Sequence, residues 1–332
     1  MAGNDSDEDG NGIDNEHDDP LVYATGYHAP VLYKAVVAGL VTDRQGTYVD
    51  ATLGGGGHAA ALLNALGERG RVVGVDRDEE AIDEVRKRLE AEIERDRLRL
   101  LKANFADLNG VLQSEGISKV EGILLDLGVS SHQLDVAARG FSYLAGGTLD
   151  MRMDASSSTT AADVVNEWSE TELRRALFEY GEEPKARAIT RTIVRRRPLE
   201  TTSDLADAVR ASVPQRDQLK SLSRVFQAIR IAVNRELEAL DQILLDAADL
   251  VREGGRMAVI SYHSLEDRRV KRFFRYGNLA GEPRRDLFGN LLTPWKELNR
   301  RPIHPDEDEI AGNPRSRSAR LRVAERVRMI ST

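Results

Sequence analysis

"VDATLGGGGHAAALL", residues 49–63, sets four consecutive glycines between a strand-like apolar stretch and a run of alanine and leucine. A glycine-rich turn between a first strand and its helix lets a ligand approach the main chain closely. The helix start then offers it unpaired N–H groups. Outward from this point short apolar runs recur, and "TYVDATL" (47–53), "RVVGVDR" (71–77), "RLRLLKA" (97–103) and "VEGILLDLG" (120–128) read as strands. Residues 58–68, 78–95 and 105–116, which lie between them, carry helical periodicity. Strands separated by helices of this size predict βαβ units, hence an α/β chain with a mainly parallel, Rossmann-like sheet.

Near residue 135 the rhythm breaks. "LAGGTLDMRMDASSSTTAADVV" (144–165) is a Gly/Ser/Thr-rich connection, and the chain then reads as helical to about residue 251. "RVFQAIRIAVNRELEALDQILLDAADLV" (224–251) predicts one long amphipathic helix, terminated by Gly254-Gly255. A strand returns in "RMAVISYHS" (256–264), followed by a helix whose N-cap box is expected from Ser264 and Asp267. "SARLRVAERV" (318–327) alternates apolar and charged residues, as a half-exposed edge strand does. The expected organisation is an acidic disordered tail over 1–20 and a discontinuous Rossmann-like domain made of 21–136 and 227–332. A helical substrate-recognition domain, 137–226, is inserted between its halves.

Composition narrows the function classes. There is no cysteine, so disulfides, thiolate nucleophiles and zinc–thiolate sites are impossible. The six histidines show no paired ligand spacing, and no metal site is expected. No apolar run approaches a membrane span and the N-terminus is acidic, which predicts a cytoplasmic protein without membrane association. A net charge of −8 disfavours nucleic acid, but eight acids fall within residues 1–20 without a basic residue among them. The remaining 312 residues are formally neutral and strongly Arg-biased, with eight Lys among 47 basic residues.

Two cofactor classes use the corner that the glycines form. Dinucleotides place a pyrophosphate there, and Gly54, Gly56 and Ala59 satisfy that spacing; S-adenosylmethionine places its amino-acid portion and ribose there instead. Asp76, at the end of the second strand, suits ribose hydroxyls in either class. Asp126 ends the fourth strand, and in an open α/β sheet ligands sit at the carboxyl ends of strands, so Asp76, Asp126 and the glycine loop converge on one cleft. A carboxylate there suits an amino group or the surroundings of a sulfonium, which favours a methyltransferase over an NAD(P)-linked oxidoreductase.

The chain closely resembles the RsmH (MraW) family of bacterial S-adenosylmethionine-dependent 16S ribosomal RNA methyltransferases. The motifs that carry the resemblance are "GYHAPVL", "DATLGGGGHAAALL", "GVDRDEEAI", "GILLDLGVSSHQLD", "GTLDMRMD", "YGEEPKARAI", "RVFQAIRIAVNREL", "ISYHSLEDRRVKRFF" and "NPRSRSARLRVAER", in order from about residue 27 to 327. It implies a class I methyltransferase fold and methylation of the exocyclic N4 of the decoding-region cytidine conventionally numbered 1402. The partner implied is 16S rRNA, in the small ribosomal subunit; DNA is not expected. Carried over by motif, Gly56, Gly57 and His58 line the methionine end, Asp76 takes the ribose, Phe105 packs on the adenine, and Asp126 and Gln133 complete the pocket. The chain departs from the family pattern at Gly55 and at His132, where proline is common.

The group that accepts the amine hydrogens is less legible. "DLGVSS" stands where amino-directed methyltransferases often carry an Asn/Asp-Pro-Pro-aromatic motif. Asp126 and His263 are the catalytic candidates, with Ser261, Ser264 and main-chain carbonyls beside them. Phe141, Tyr143, Tyr180 and Tyr262 are candidates for stacking an extruded base. Arg187, Arg191 and Arg195–Arg197, then Arg268, Arg269, Lys271 and Arg272, then Arg315, Arg317 and Arg320 are candidates for phosphate contact. A non-catalytic ribosome-assembly factor is the remaining alternative, and a homodimer is among the oligomeric states that the sequence leaves open.

Overall fold

The computed structural model describes residues 30–144 and 146–328, so the acidic run 1–20 lies outside the described residues. Seven strands form one sheet: β1 (Thr47–Asp50), β2 (Arg71–Asp76), β3 (Leu98–Lys102), β4 (Val120–Asp126), β5 (Val251–Ser261), β6 (Trp295–Glu297) and β7 (Arg320–Arg326). Their order is β3-β2-β1-β4-β5-β7-β6. The first five are parallel, while β7 runs antiparallel to β5 and β6 antiparallel to β7. From β1 the chain goes first to β2 and β3 on one side, then to β4 on the other. That reversal opens a crevice above the carboxyl ends of β1 and β4.

The helices are α1 (Tyr33–Leu40), α2 (Gly57–Ala65), α3 (Glu79–Arg88), α4 (Glu90–Glu94), α5 (Leu108–Ser114), α6 (Ser131–Asp135), α7 (Ala161–Glu167), α8 (Glu170–Glu179), α9 (Ala186–Arg196), α10 (Thr202–Arg210), α11 (Gln218–Asn234), α12 (Glu236–Leu250), α13 (Ser264–Tyr276) and α14 (Glu307–Gly312). Successive residues of a strand feed opposite layers. Ile123 and Leu125 pack with α5, α12 and α13, whereas Leu124 between them packs with α1 and α2. All three are fully buried, as central parallel strands require.

A third apolar cluster runs from Phe141 to Val233 and joins α7 to α11 in a body of their own. Its helices start where Ser or Thr stands three residues before an acid: Thr160 with Asp163, Ser169 with Glu172, Thr201 with Asp204. Each pair closes a reciprocal capping box that satisfies two orphan N–H groups.

The structure departs from the sequence expectations at four points. The long helix of 224–251 is two helices, because Arg235 adopts a left-handed conformation (φ 50°, ψ 42°) between α11 and α12. One straight helix could not serve both bodies: Phe226, Ile229 and Val233 of α11 belong to the helical cluster, while Leu240, Ile243 and Leu244 of α12 pack on the sheet. The boundary expected at 226/227 therefore falls inside α11. The second helix also ends at Leu250 rather than at the glycines, which belong to β5 beside an irregularity in its pairing with β4. The third departure is β7, which sits inside the sheet between β5 and β6. The fourth is the cap of α13, made one residue early by His263 and Glu266.

Asn234 ties the loop 151–153 to this break. Its Oδ1 accepts from Met153 N at 2.8 Å, and its Nδ2 donates to Met151 O at 2.7 Å and to Arg230 O at 2.9 Å. The side chain is buried. Asn234→Ala leaves these groups unpaired, and a loss of about 1–3 kcal/mol is expected. Urea unfolding checks it as a lowered midpoint with an unchanged slope; an unchanged midpoint would show that the clamp contributes nothing.

Candidate functional site

At the crevice the glycine loop, the ends of β1, β2, β4 and β5, and the start of α12 line one cleft. Gly54 sits at φ +48°, a left-handed conformation that disfavours side chains, and its N–H donates to Asp76 Oδ2 at 2.8 Å. Asp78 N donates to the other oxygen of Asp76 at 2.9 Å. Two main-chain donors thus fix the Asp76 carboxylate while burial raises its pKa. Gly55, Gly57 and His58 line the cleft. Gly56 does not: a Cβ on it would meet Val85 Cγ2 at 2.8 Å, so its bareness serves packing against α3.

The floor holds a buried ionic cluster. Asp126 receives the Tyr262 hydroxyl on Oδ1 at 2.9 Å, and its main-chain N–H donates to Thr52 Oγ1 at 2.6 Å. His58 Nε2 stands 3.4 Å from Asp126 Oδ2, a buried ion pair. Behind it lies Asp50, fully buried, with Oδ2 lacking a hydrogen-bond partner. Burial pushes the Asp50 pKa up to about 6, against the attraction of His58. Burial acts to lower the His58 pKa, but Asp126 and then Asp50 outweigh it and the net shift is upward. Burial, then the neighbouring Asp126, puts the Tyr262 phenol well above 10.

Phe105, Ala103 and Leu240 form the apolar wall. Gln133 also lines the cleft, but its Nε2 donates to Asp78 Oδ2 at 2.9 Å and its Oε1 accepts from Ser130 N at 3.2 Å. Its amide thus serves to brace α6 against the cap of α3. Arg139 donates to the same Asp78 oxygen at 2.8 Å.

His263 is outside the cleft lining and does not stand as a free general base. Its Nδ1 accepts from Glu266 N at 3.4 Å, and its Nε2 lies 3.1 Å from Glu266 Oε1, so the ring is committed to the cap of α13. The structure thus brings together Gly57, His58, Asp76, Phe105, Asp126 and Gln133, and leaves Gly56 and His263 aside. Of the aromatic candidates Tyr262 lies in the cleft, whereas Phe141 is buried in the helical core and Tyr143 packs edge-on against Phe226. Arg197 is tied to the carbonyls of Val165 and Trp168, and Arg315 to Asp135. Asp50, Thr52 and Asp78 are site residues that sequence reasoning missed. The signal for Asp50 was present, since it ends β1 as Asp76 ends β2 and Asp126 ends β4.

Charge decides what fits. The pyrophosphate of a dinucleotide would face Asp76 and Asp126 together, with Asp50 buried behind them. A ligand with a flat apolar base, ribose hydroxyls and a cationic sulfonium and ammonium matches the Phe105 wall, Asp76 and the acidic floor in turn. His58 Nδ1, which lacks a hydrogen-bond partner, belongs to a residue of that floor, and Asp50 Oδ2, also without one, is buried behind it. The residues present fit S-adenosylmethionine.

Sheet order, glycine loop and acids at the strand ends together define a class I Rossmann-like methyltransferase, the class whose methyl donor is S-adenosylmethionine. The chain belongs to the MraW methylase family, matched over residues 25–327. It is 49% identical over 321 residues to a ribosomal RNA small subunit methyltransferase H of Chlorobium luteolum, covering 90% of this chain and 96% of that one. The protein of that name from Bacteroides fragilis is 44% identical over 306 residues, covering 91% and 98%. That from Chlorobium phaeovibrioides is 47% identical over 325 residues, covering 91% and 97%.

An acid whose folded pKa lies above its unfolded value keeps its proton longer in the folded chain. For Asp50, ordinarily 3.8 and here about 6, stability therefore falls as pH rises through that interval and levels off above it. Asp50→Asn removes this decline, which is on the order of 2–3 kcal/mol. The stability of wild type minus that of the variant, from urea unfolding at pH 4 to 7, is expected to drop and then flatten. A pH-independent difference would refute the raised pKa.

Proposed function

We propose that this protein transfers a methyl group from S-adenosylmethionine to the exocyclic N4 of the cytidine in the decoding region of small-subunit ribosomal RNA. The small ribosomal subunit is the proposed context. The observation that carries this reading is the acidic cleft at the sheet's switch point, shaped for a cationic donor. The names of near-full-length relatives support the RNA substrate, and the motif resemblance supports the N4 position.

In this reading Asp76 holds the ribose hydroxyls, Phe105 and Leu240 sandwich the adenine, and the glycine loop with His58 receives the amino-acid end. Gly56 acts indirectly, by letting that loop pack on α3. When bound, S-adenosylmethionine supplies an electrophilic methyl group. The protein must hold the amine in line with it, and such positioning supplies roughly 7–11 kcal/mol. The cytosine amine is a poor nucleophile because its lone pair is delocalised into the ring. Asp126 is the acceptor proposed for its hydrogens, aimed by the Tyr262 hydroxyl and faced by His58. His263, through the cap of α13, positions the backbone that carries Tyr262. The helical body of α7–α11 is the proposed substrate-recognition domain.

Asp126→Asn keeps the shape of the site but removes its charge. A loss of roughly tenfold or more in S-adenosylmethionine affinity is expected, since hydrogen bonds to charged groups contribute about 1.5–3 kcal/mol. Calorimetry reads it, and unchanged affinity would remove Asp126 from the donor site. The function itself is tested by transfer of labelled methyl to small subunits from cells lacking this modification, followed by nucleoside mass spectrometry. N4-methylated cytidine supports the reading; label on another nucleoside, or none, overturns it.

A further inference from the structure

α13 begins at the cleft, where His263 and Glu266 cap it, and carries a row of exposed cations away from it: Arg268, Lys271, Arg272 and Arg275. Arg268 lies three and four residues from Lys271 and Arg272, and Arg275 four and three beyond them, so the set borders one helix face. Arg268 pairs with Glu182 at 2.8 Å, whereas Lys271, Arg272 and Arg275 have no ion pair among the described residues. The chain after α13 folds back on this face. A Cβ on Gly281 would meet Arg272 Cδ at 3.0 Å, and Leu291 and Thr293 share a surface depression with Lys271 and Arg275.

Between those points the chain makes a hairpin. Leu292 N donates to Arg284 O at 2.8 Å, and Asp286 N to Asn290 O at 3.0 Å. Its tip is locked by one carboxylate: Asp286 Oδ1 accepts from Phe288 N and Asn290 N, both at 2.8 Å, and Oδ2 from Asn290 Nδ2 at 2.9 Å. These bonds hold the carboxyl of Asp286 below its usual range. A turn bonded in this way presents its side chains outward, and Leu287 is 97% and Phe288 87% exposed. Paired apolar residues held in water mark a contact surface. The charge around them selects the partner, because Arg284 and Arg285 precede the tip and the α13 cations lie at its base.

We propose that the exposed face of α13 and the 284–292 hairpin form an RNA-docking surface that continues from the cleft. Phosphates of the single strand next to the target base lie along Lys271, Arg272 and Arg275, and an unpaired base stacks on Phe288. This inference rests on the RNA-methylation reading. Base–aromatic stacking is tolerant of sequence, and phosphate contacts give the salt dependence that tests it.

The test is filter binding of a small-subunit RNA fragment spanning the target, over a series of salt concentrations. Two full-length variants are compared with wild type: Lys271→Ala/Arg272→Ala/Arg275→Ala together, and Phe288→Ala. The triple variant is expected to bind more than tenfold more weakly, with a log–log salt slope shallower by about two, at roughly 0.7 per phosphate contact. Phe288→Ala is expected to lose about tenfold in RNA affinity. Both should keep wild-type S-adenosylmethionine affinity by calorimetry, which shows the fold intact. Unchanged RNA affinity in both variants overturns the surface. So does a Phe288→Ala protein that keeps its RNA affinity but changes mass in light scattering, which would assign the tip to a second copy of the chain. If wild type methylates small subunits and the variants keep its KM, the surface fails and the function stands. If wild type binds RNA through these residues yet transfers no methyl to small subunits from cells lacking the modification, the function fails and the surface stands.

Discussion

Carboxylates brought to one edge of a parallel sheet repel one another, and the rest of the site is built around that repulsion. Asp50, Asp76 and Asp126 end three neighbouring strands, and burial first, then Asp126 and Asp76, raise the pKa of Asp50. The offsets are specific. Asp76 takes two main-chain N–H groups, Asp126 takes a phenol, and a buried imidazole faces Asp126 and Asp50. Each offset comes from a different element: the glycine loop, the start of α3, the end of β5 and the first turn of α2. The local charge thus specifies the relative placement of four segments, and its residual negative character favours a cationic ligand over an anionic one.

The parallel half of the sheet and the cleft were legible in the sequence because their signals are local. Apolar runs ending in acids, followed by glycine or a capped helix, place β1, β2 and β4 and their carboxylates without reference to distant contacts. What could not be read depends on tertiary packing. Arg235 carries no mark of a helix break, and its left-handed conformation follows from α11 and α12 having to serve different cores. His263 looked catalytic by residue type, yet a His one residue before the expected Ser264 can cap a helix as Ser does. Gly56 looked like a ligand contact, and only the proximity of Val85 shows what its missing side chain makes room for. β7 alternates like an edge strand, but β6 supplies three residues of pairing on its outer side.

The helical body and the sheet meet at a small polar junction. Arg77, next to Asp76, donates to Asn234 O at 3.1 Å and reaches the sulfur of Met153. Asn234 in turn grips both ends of the 151–153 turn, and Glu236, one residue past the break, pairs with Arg230 and lines the cleft. The residue beside the proposed ribose carboxylate is thus bonded to the point where the helical body joins α12. Movement of that body about the Arg235 break would strain contacts one residue from the donor site.

The position of β7 bears on how the protein is made. β5 has β4 on one side and β7 on the other, and Leu321 and Ala324 are fully buried there. A chain emerging from the ribosome supplies strands one to four and the whole helical body long before residues 320–326 arrive. The helical body, rich in local contacts, can condense during synthesis. Strands β3, β2, β1 and β4 have their partners by then, but β5 still lacks the one on its outer side. Until β7 arrives, β5 presents an unpaired edge of the kind that can pair with other chains.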